Sequence, residues 1–111
     1  MSDASPEPIT LLITLQVRPG REAEFLGLLA PVLNAMRHEP SFLNTVLHQD
    51  PDDPGRFLLY ETWTDRRDLV EVQMRRPYRA ALEARLPALL ERPKRIEVWR
   101  SLRADFAFRN G

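Results

Sequence analysis

The side chain of most chemical interest in this sequence is Glu61, a carboxylate set between Leu59 and Trp63 in the run RFLLYETW. Alternate residues of a strand share a face, so Phe57, Leu59, Glu61 and Trp63 point one way and Leu58, Tyr60 and Thr62 the other. If Trp63 faces a core, Glu61 faces it too. Desolvation then disfavours the ionised carboxylate and equips it to act as a base near neutral pH. The plainer alternative is an ion pair with Arg76 or Arg79, because buried carboxylates are usually paired. Trp63 is either a core residue or a pocket wall whose indole N–H needs a partner. His48 falls on the alternating set of Asn44 in the run FLNTVLHQ. It is a candidate base or hydrogen-bond donor, since imidazole titrates near neutrality, or else a rim residue beside an acidic turn. His38 closes a helix, where a cation suits the dipole. Arg75, Arg76 and Arg79 around Tyr78 form either an anion-attracting cluster or a solvated face. With two histidines and no cysteine in the chain, disulfide and thiolate chemistry is excluded, and a dedicated transition-metal site is not expected. No phosphate loop or nucleophile elbow is present.

These residues need elements to hold them. Residues 9–17 (ITLLITLQV) read as a first strand with one wholly apolar face of Ile9, Leu11, Ile13, Leu15 and Val17. Arg18-Pro19-Gly20 ends it. Residues 21–37 form a helix whose stripe is Phe25, Leu28, Leu29, Val32, Leu33 and Met36. Pro31 bends it without stopping it, because the stripe continues past that point. Residues 42–49 are a second strand, with Phe42, Asn44, Val46 and His48 on one face. The turn DPDDPG leads into a third strand, residues 56–63, as a hairpin. Asp65 is placed to cap a helix over 65–75, with Asp68 in the capping-box position and Leu69 and Val72 inward. Pro77 interrupts the helical stretch. Residues 78–92 continue it through Leu82, Leu86, Leu89 and Leu90, with Pro87 ending or bending it. Residues 95–102 are the fourth strand.

The order β-α-β-β-α-β is the split βαβ, or ferredoxin-like, α+β arrangement: a four-stranded antiparallel sheet with helices on one face. Residues 1–8 read as a frayed arm, 9–102 as the domain, and 103–111 as a tail whose Phe106 and Phe108 are expected to pack on something. The second sheet face carries Leu12, Leu58 and Tyr60. Soluble monomers seldom expose so large an apolar patch, so a homodimer joined sheet to sheet is expected.

The 111 residues suit one core. Sixteen basic residues balance sixteen acidic ones, which gives no reason to expect nucleic acid or an anionic membrane as partner. No apolar run reaches the ~20 residues a membrane span needs, and MSDASPEPI lacks the pattern of a signal peptide. A soluble cytoplasmic protein is the expectation.

The run YETW, followed by a polar helix start, an apolar helix and a Pro-aromatic pair, resembles the antibiotic biosynthesis monooxygenase family of dimeric α+β barrels. VRPGREAEFLGLLAPVLNAM resembles that family's first strand exit and first helix, and HEPSFLNTVLHQDPDDPGRFLLYETW its central hairpin. The resemblance spans residues 9–102. It implies a cofactor-independent monooxygenase, with no metal, flavin or haem, acting with molecular oxygen on an aromatic or quinol-like small molecule. Trp63 matches the family's aromatic position at the end of the third strand. Many members also carry one histidine in the stretch that is here Leu69 to Gln73 and another after the proline. Here Val72 or Gln73, and Pro77-Tyr78, stand in those places. Haem-degrading relatives need a pocket asparagine where this chain has Ile13, and that subtype is not expected.

The resulting expectation is a pocket between sheet and helices, with Trp63 in its wall and His48 or Glu61 as base. Tyr78, Gln73 and Asn44 supply polar contacts. The alternative is a non-catalytic dimer of the same fold that binds a small molecule or assists another enzyme.

Overall fold

The computed structural model describes residues 6–107. Its strands are β1 (Ile9–Gln16), β2 (Phe42–Asp50), β3 (Asp53–Trp63) and β4 (Arg95–Arg100), and its helices α1 (Glu22–Met36), α2 (Arg66–Glu71) and α3 (Ala80–Leu89). Two 3-10 turns, Gln73–Arg75 and Pro77–Arg79, join α2 to α3. The strands make one antiparallel sheet in the order β2-β3-β1-β4, the ferredoxin-like topology expected from the element order.

One sheet face is the core. Register places Ile9, Leu11, Ile13 and Leu15 of β1 opposite Trp63, Glu61, Leu59 and Phe57 of β3. All eight are buried, as is Val17 just beyond β1. Phe25, Leu29, Val32 and Met36 of α1 and Leu82, Leu86 and Leu89 of α3 cover them. Each such side chain contributes about 1.5–3 kcal/mol when fully buried. α1 runs through Pro31 and α3 through Pro87; each proline gives up one backbone bond while the buried stripes hold the helices in place.

The strand 1 exit is packed tightly against the hairpin. The Val17 amide donates to the Gly55 carbonyl at 2.7 Å. A Cβ on Gly55 would meet the Val17 carbonyl oxygen at 2.5 Å, so only glycine fits there. Gly20, at φ +83°, takes the left-handed turn that sends the chain into α1.

Beyond element ends, where β3 starts earlier at Asp53, α3 is shorter than the 78–92 expected and β4 stops at Arg100, the structure departs from the sequence reading in four places. β2 does not keep one alternation: Phe42 pairs with Trp63, but Asn44 pairs with Thr62, with an irregularity between them. The extra residue reverses the pattern, so Phe42 packs on the helix side while Asn44, Val46 and His48 share the open face. The helix expected over 65–75 ends as α-helix at Glu71, because Val72 has φ −116° and ψ −59°. Val72 is therefore 38% exposed and Gln73 turns inward at 2%. Asp65 caps α2 through the Arg67 amide, but Asp68 does not complete a capping box; it accepts from the Ser41 hydroxyl at 2.5 Å and the Gln73 amide at 3.0 Å. In the tail, Leu102 and Phe106 are 89% and 66% exposed in the single chain. Phe108 and residues 1–5 of the arm lie outside the described residues.

Candidate functional site

β3 delivers Glu61 and Trp63 to the helix side, as their alternation requires. Trp63 has no exposed surface and Glu61 is 3% exposed. The indole Nε1–H donates to Glu61 Oε1 at 3.0 Å, and Phe42 meets Trp63 edge-on, with ring centroids 5.3 Å apart. No arginine or lysine forms an ion pair with Glu61 among the described residues. Arg76 pairs instead with Glu39, Nε to Oε2 at 2.8 Å, and Arg79 donates Nε to the Gln73 carbonyl at 2.8 Å. Burial pushes the Glu61 carboxyl above its ordinary value of 4.5; the Trp63 hydrogen bond and the more distant charges of Arg79 and Lys94 oppose that without cancelling it. Desolvation with one neutral donor favours the protonated acid.

Glu61 lines a cavity of about 40 Å³ between the sheet and the helices, with Ile13, Leu29, Leu59 and Leu82 among its apolar walls. Arg79, Glu83 and Lys94 line it too. Trp63, expected in the pocket wall, is not among the lining residues; it is linked to the cavity by its hydrogen bond to Glu61. The space holds a water or two, whereas benzene fits a cavity of about 150 Å³.

The 3-10 segment between α2 and α3 places the other residues. Gln73 is turned to Asp68, leaving its Oε1 buried with no hydrogen-bond partner. Tyr78 donates its hydroxyl to Glu39 Oε2 at 3.2 Å, and the Arg79 guanidinium lies 5.6 Å from the Tyr78 ring centre. Burial first, and the Glu39 carboxylate second to the opposing pull of Arg79, raise the Tyr78 hydroxyl above its usual range. Neither Gln73 nor Tyr78 reaches the cavity. Gln73 ties the segment to α2 through Asp68, and Tyr78 ties it to Glu39 in the loop after α1.

His48 and Asn44 lie across the sheet from Glu61. His48 borders a surface hollow of about 230 Å³ with Thr14, Asp50 and Arg56. Asn44, its Oδ1 buried and unpartnered, lines a groove of about 740 Å³ on the open face with Leu12, Tyr60, Trp99 and Phe106. The candidate residues therefore fall into two groups that the sheet separates. The bulge at Leu43 is not visible as a break in the sequence pattern, and it alone moved Asn44 and His48 away from Phe42. Lys94 and Glu83 had no sequence signal, since they meet Glu61 only through the pairing of β4 with β1 and the packing of α3. Among the described residues, no three His, Cys, Asp or Glu side chains gather where they could hold a metal ion.

The element order and the sheet define a ferredoxin-like α+β protein, with the Glu61–Trp63 pair buried on the helix side of its sheet. Residues 8–84 match the family described as antibiotic biosynthesis monooxygenase, and the chain belongs to that family. It is 32% identical over 100 residues to the candidate monooxygenase GME11364 of Pestalotiopsis microspora, covering 86% of this chain and 82% of that one. It is 26% identical over 94 residues to the uncharacterized protein sll1783 of Synechocystis; the match covers 85% of this chain but only 63% of that protein's length. Among solved structures, SnoaB of Streptomyces nogalater, a cofactor-independent oxygenase, superimposes with a TM-score of 0.75 at 19% identity over 88% of this chain and 96% of that one. At that identity the likeness shows the fold alone.

Proposed function

We propose that this protein is a cofactor-independent monooxygenase acting on an aromatic, quinol-like small molecule, with Glu61 as its base and the cavity beside it as the substrate site. The observation that carries this reading is a buried carboxylate that forms no ion pair among the described residues, held by Trp63 and facing a cavity whose walls are mostly apolar. A quinol hydroxyl that gives its proton to Glu61 leaves an electron-rich anion able to reduce oxygen. One oxygen atom enters the ring, the other leaves as water, and the quinol becomes a hydroxyquinone, so the substrate supplies all the electrons. The protein contributes orientation, a dry pocket and a base, and a positioned base is worth about 10²–10⁴ in rate. A ring needs more room than the closed cavity of about 40 Å³ offers, so this reading requires the cavity to widen when substrate binds. Trp63 orients Glu61, and Gln73 and Tyr78 hold the segment that leads into α3. The family likeness and the GME11364 relative support the reaction class.

The same reading makes the working molecule a homodimer joined through its open sheet faces, where Leu58, Val46 and Trp99 are exposed. His48 and Asn44 then belong to the interface and not to the chemistry.

The test is oxygen uptake with a panel of hydroquinones. Glu61→Gln should lower kcat at least a hundredfold, and kcat/KM should rise with pH through a range above the ordinary carboxylate value, because the base must be ionised. Uptake indistinguishable from buffer across the panel sinks the enzyme. It would leave the second reading, a non-catalytic dimer that binds a small molecule, which the small closed cavity and the absence of a histidine at Val72 and Gln73 favour.

A further inference from the structure

Two cations face the cavity that holds Glu61, and neither is fully used. Arg79 spends Nε on the Gln73 carbonyl at 2.8 Å, but its Nη2 is buried with no hydrogen-bond partner. Lys94 holds Glu83 at 2.6 Å, and the Glu83 side chain is 49% exposed, so that pair lies at the solvent end of the cavity. A buried guanidinium nitrogen without a partner costs free energy that a ligand oxygen would recover. An ion pair half in water is weak and readily exchanged. The same cavity has apolar walls that include Ile13, Leu29, Leu59 and Leu82.

We propose that the ligand of this cavity is an aromatic ring bearing a fixed carboxylate, which takes the free Nη2 of Arg79 and draws Lys94 away from Glu83. This rests on the reading of the cavity as the substrate site and narrows its substrate class from quinols in general to hydroxylated aromatic acids. The ring occupies the apolar middle and a ring hydroxyl points to Glu61 at the far end. The carboxylate replaces Glu83 of α3 as the partner of Lys94, which lies just ahead of β4. Arginine suits this role because its guanidinium stays charged in a low-dielectric site and its unpartnered Nη2 gives the carboxylate a charge-assisted hydrogen bond.

The test compares 2,5-dihydroxybenzoate with its methyl ester by titration calorimetry under nitrogen, where no turnover occurs. The acid should bind at least tenfold more tightly than the ester. Arg79→Gln and Lys94→Gln should each bring the acid to the ester's affinity while leaving the ester unchanged, and Arg79→Lys should keep part of the preference. Lys94 is near the surface, so its variant tests the idea even if Arg79→Gln fails to fold. Equal binding of acid and ester to the parent protein, or a preference that persists in both glutamine variants, overturns the inference. Leu29→Trp, which fills the cavity, separates the two levels. Acid and ester bound equally and both lost on filling refute the carboxylate and leave the substrate site standing. Acid bound unchanged after filling refutes the site and the inference together.

Discussion

Glu61 and Trp63 are one unit: among the described residues the indole gives the carboxylate its only side-chain hydrogen bond, and the carboxylate gives the buried indole N–H the partner it needs. Their burial was legible in the alternation of RFLLYETW alone. The partner of Glu61 was not, because an arginine near in sequence is no guide to which carboxylate it meets; Arg76 goes to Glu39 across the chain. The raised pKa of Glu61 has a consequence for stability. The folded state binds the proton more tightly than the unfolded state, so the contribution of Glu61 is fully present below the ordinary value near 4.5 and is lost as pH rises through the folded value. Glu61→Gln should therefore unfold at higher urea than the parent at pH 8 and show a flatter pH dependence between pH 5 and 8, while retaining the Trp63 hydrogen bond through its amide oxygen. Urea midpoints at several pH values check this; a variant less stable than the parent at pH 8 contradicts the assignment of desolvation as the dominant cause. Phe42 closes the other side of Trp63. Phe42→Ala removes an edge-on aromatic contact at a half-buried site and should cost about 2–3 kcal/mol, read from the urea midpoint with Trp63 fluorescence as a reporter in a Trp99→Phe background.

The elements that follow from periodicity alone are β1, α1, β3 and α3, whose buried faces the sequence displays without interruption. Two others depend on backbone events that no side-chain pattern announces. The irregularity after Phe42 reverses β2, and the break at Val72 replaces the last turn expected of α2 with 3-10 geometry. Phe42 is held by its long-range pairing with Trp63, and Gln73 by a local bond to Asp68, which is itself fixed by the Ser41 hydroxyl at the entrance to β2. The Asp68 carboxyl lies below its usual range because the Ser41 hydroxyl and then the Gln73 amide stabilise its ionised form. Its contribution to stability is thus present above the ordinary carboxylate value and is lost as pH falls through the depressed one. Asp68→Ala should cost about 1–3 kcal/mol at pH 7 and much less in acid, since the parent loses the same contacts there. Equal losses at both pH values would mean that the carboxylate is a packing element only. The close approach of β1 and the hairpin at Gly55 carries its own expectation. Gly55→Ala must move the Val17 backbone, not a pliable side chain, and should destabilise by about 1–3 kcal/mol by the same urea measurement.

For the whole molecule, the deciding feature is the asymmetry of the sheet. One face is buried under α1 and α3. The other presents Leu12, Leu58, Tyr60, Val46 and Trp99 beside the Thr10–Thr62–Ser101 hydroxyl chain, with no helix over it. Leu58, Val46 and Trp99 are 36%, 44% and 54% exposed in the single chain, an apolar surface that two copies would remove from water by meeting face to face. In a two-fold pairing the same patch meets itself, so a charge placed near its centre meets its own image. Leu58→Glu sets two carboxylates into that apolar seam and should convert the dimer to a monomer by light scattering at micromolar concentration. The parent's thermal midpoint should rise with protein concentration, as mass action requires of a dimer whose unfolding releases its subunits, and the variant's should not. Val70→Glu is the control: Val70 is 57% exposed on α2, on the other side of the sheet, and the same charge there should leave the dimer intact. A parent that scatters as a monomer, or a Leu58→Glu variant that remains a dimer, would show that a second copy does not cover the open face. His48 and Asn44 would then be free to serve a ligand on that face.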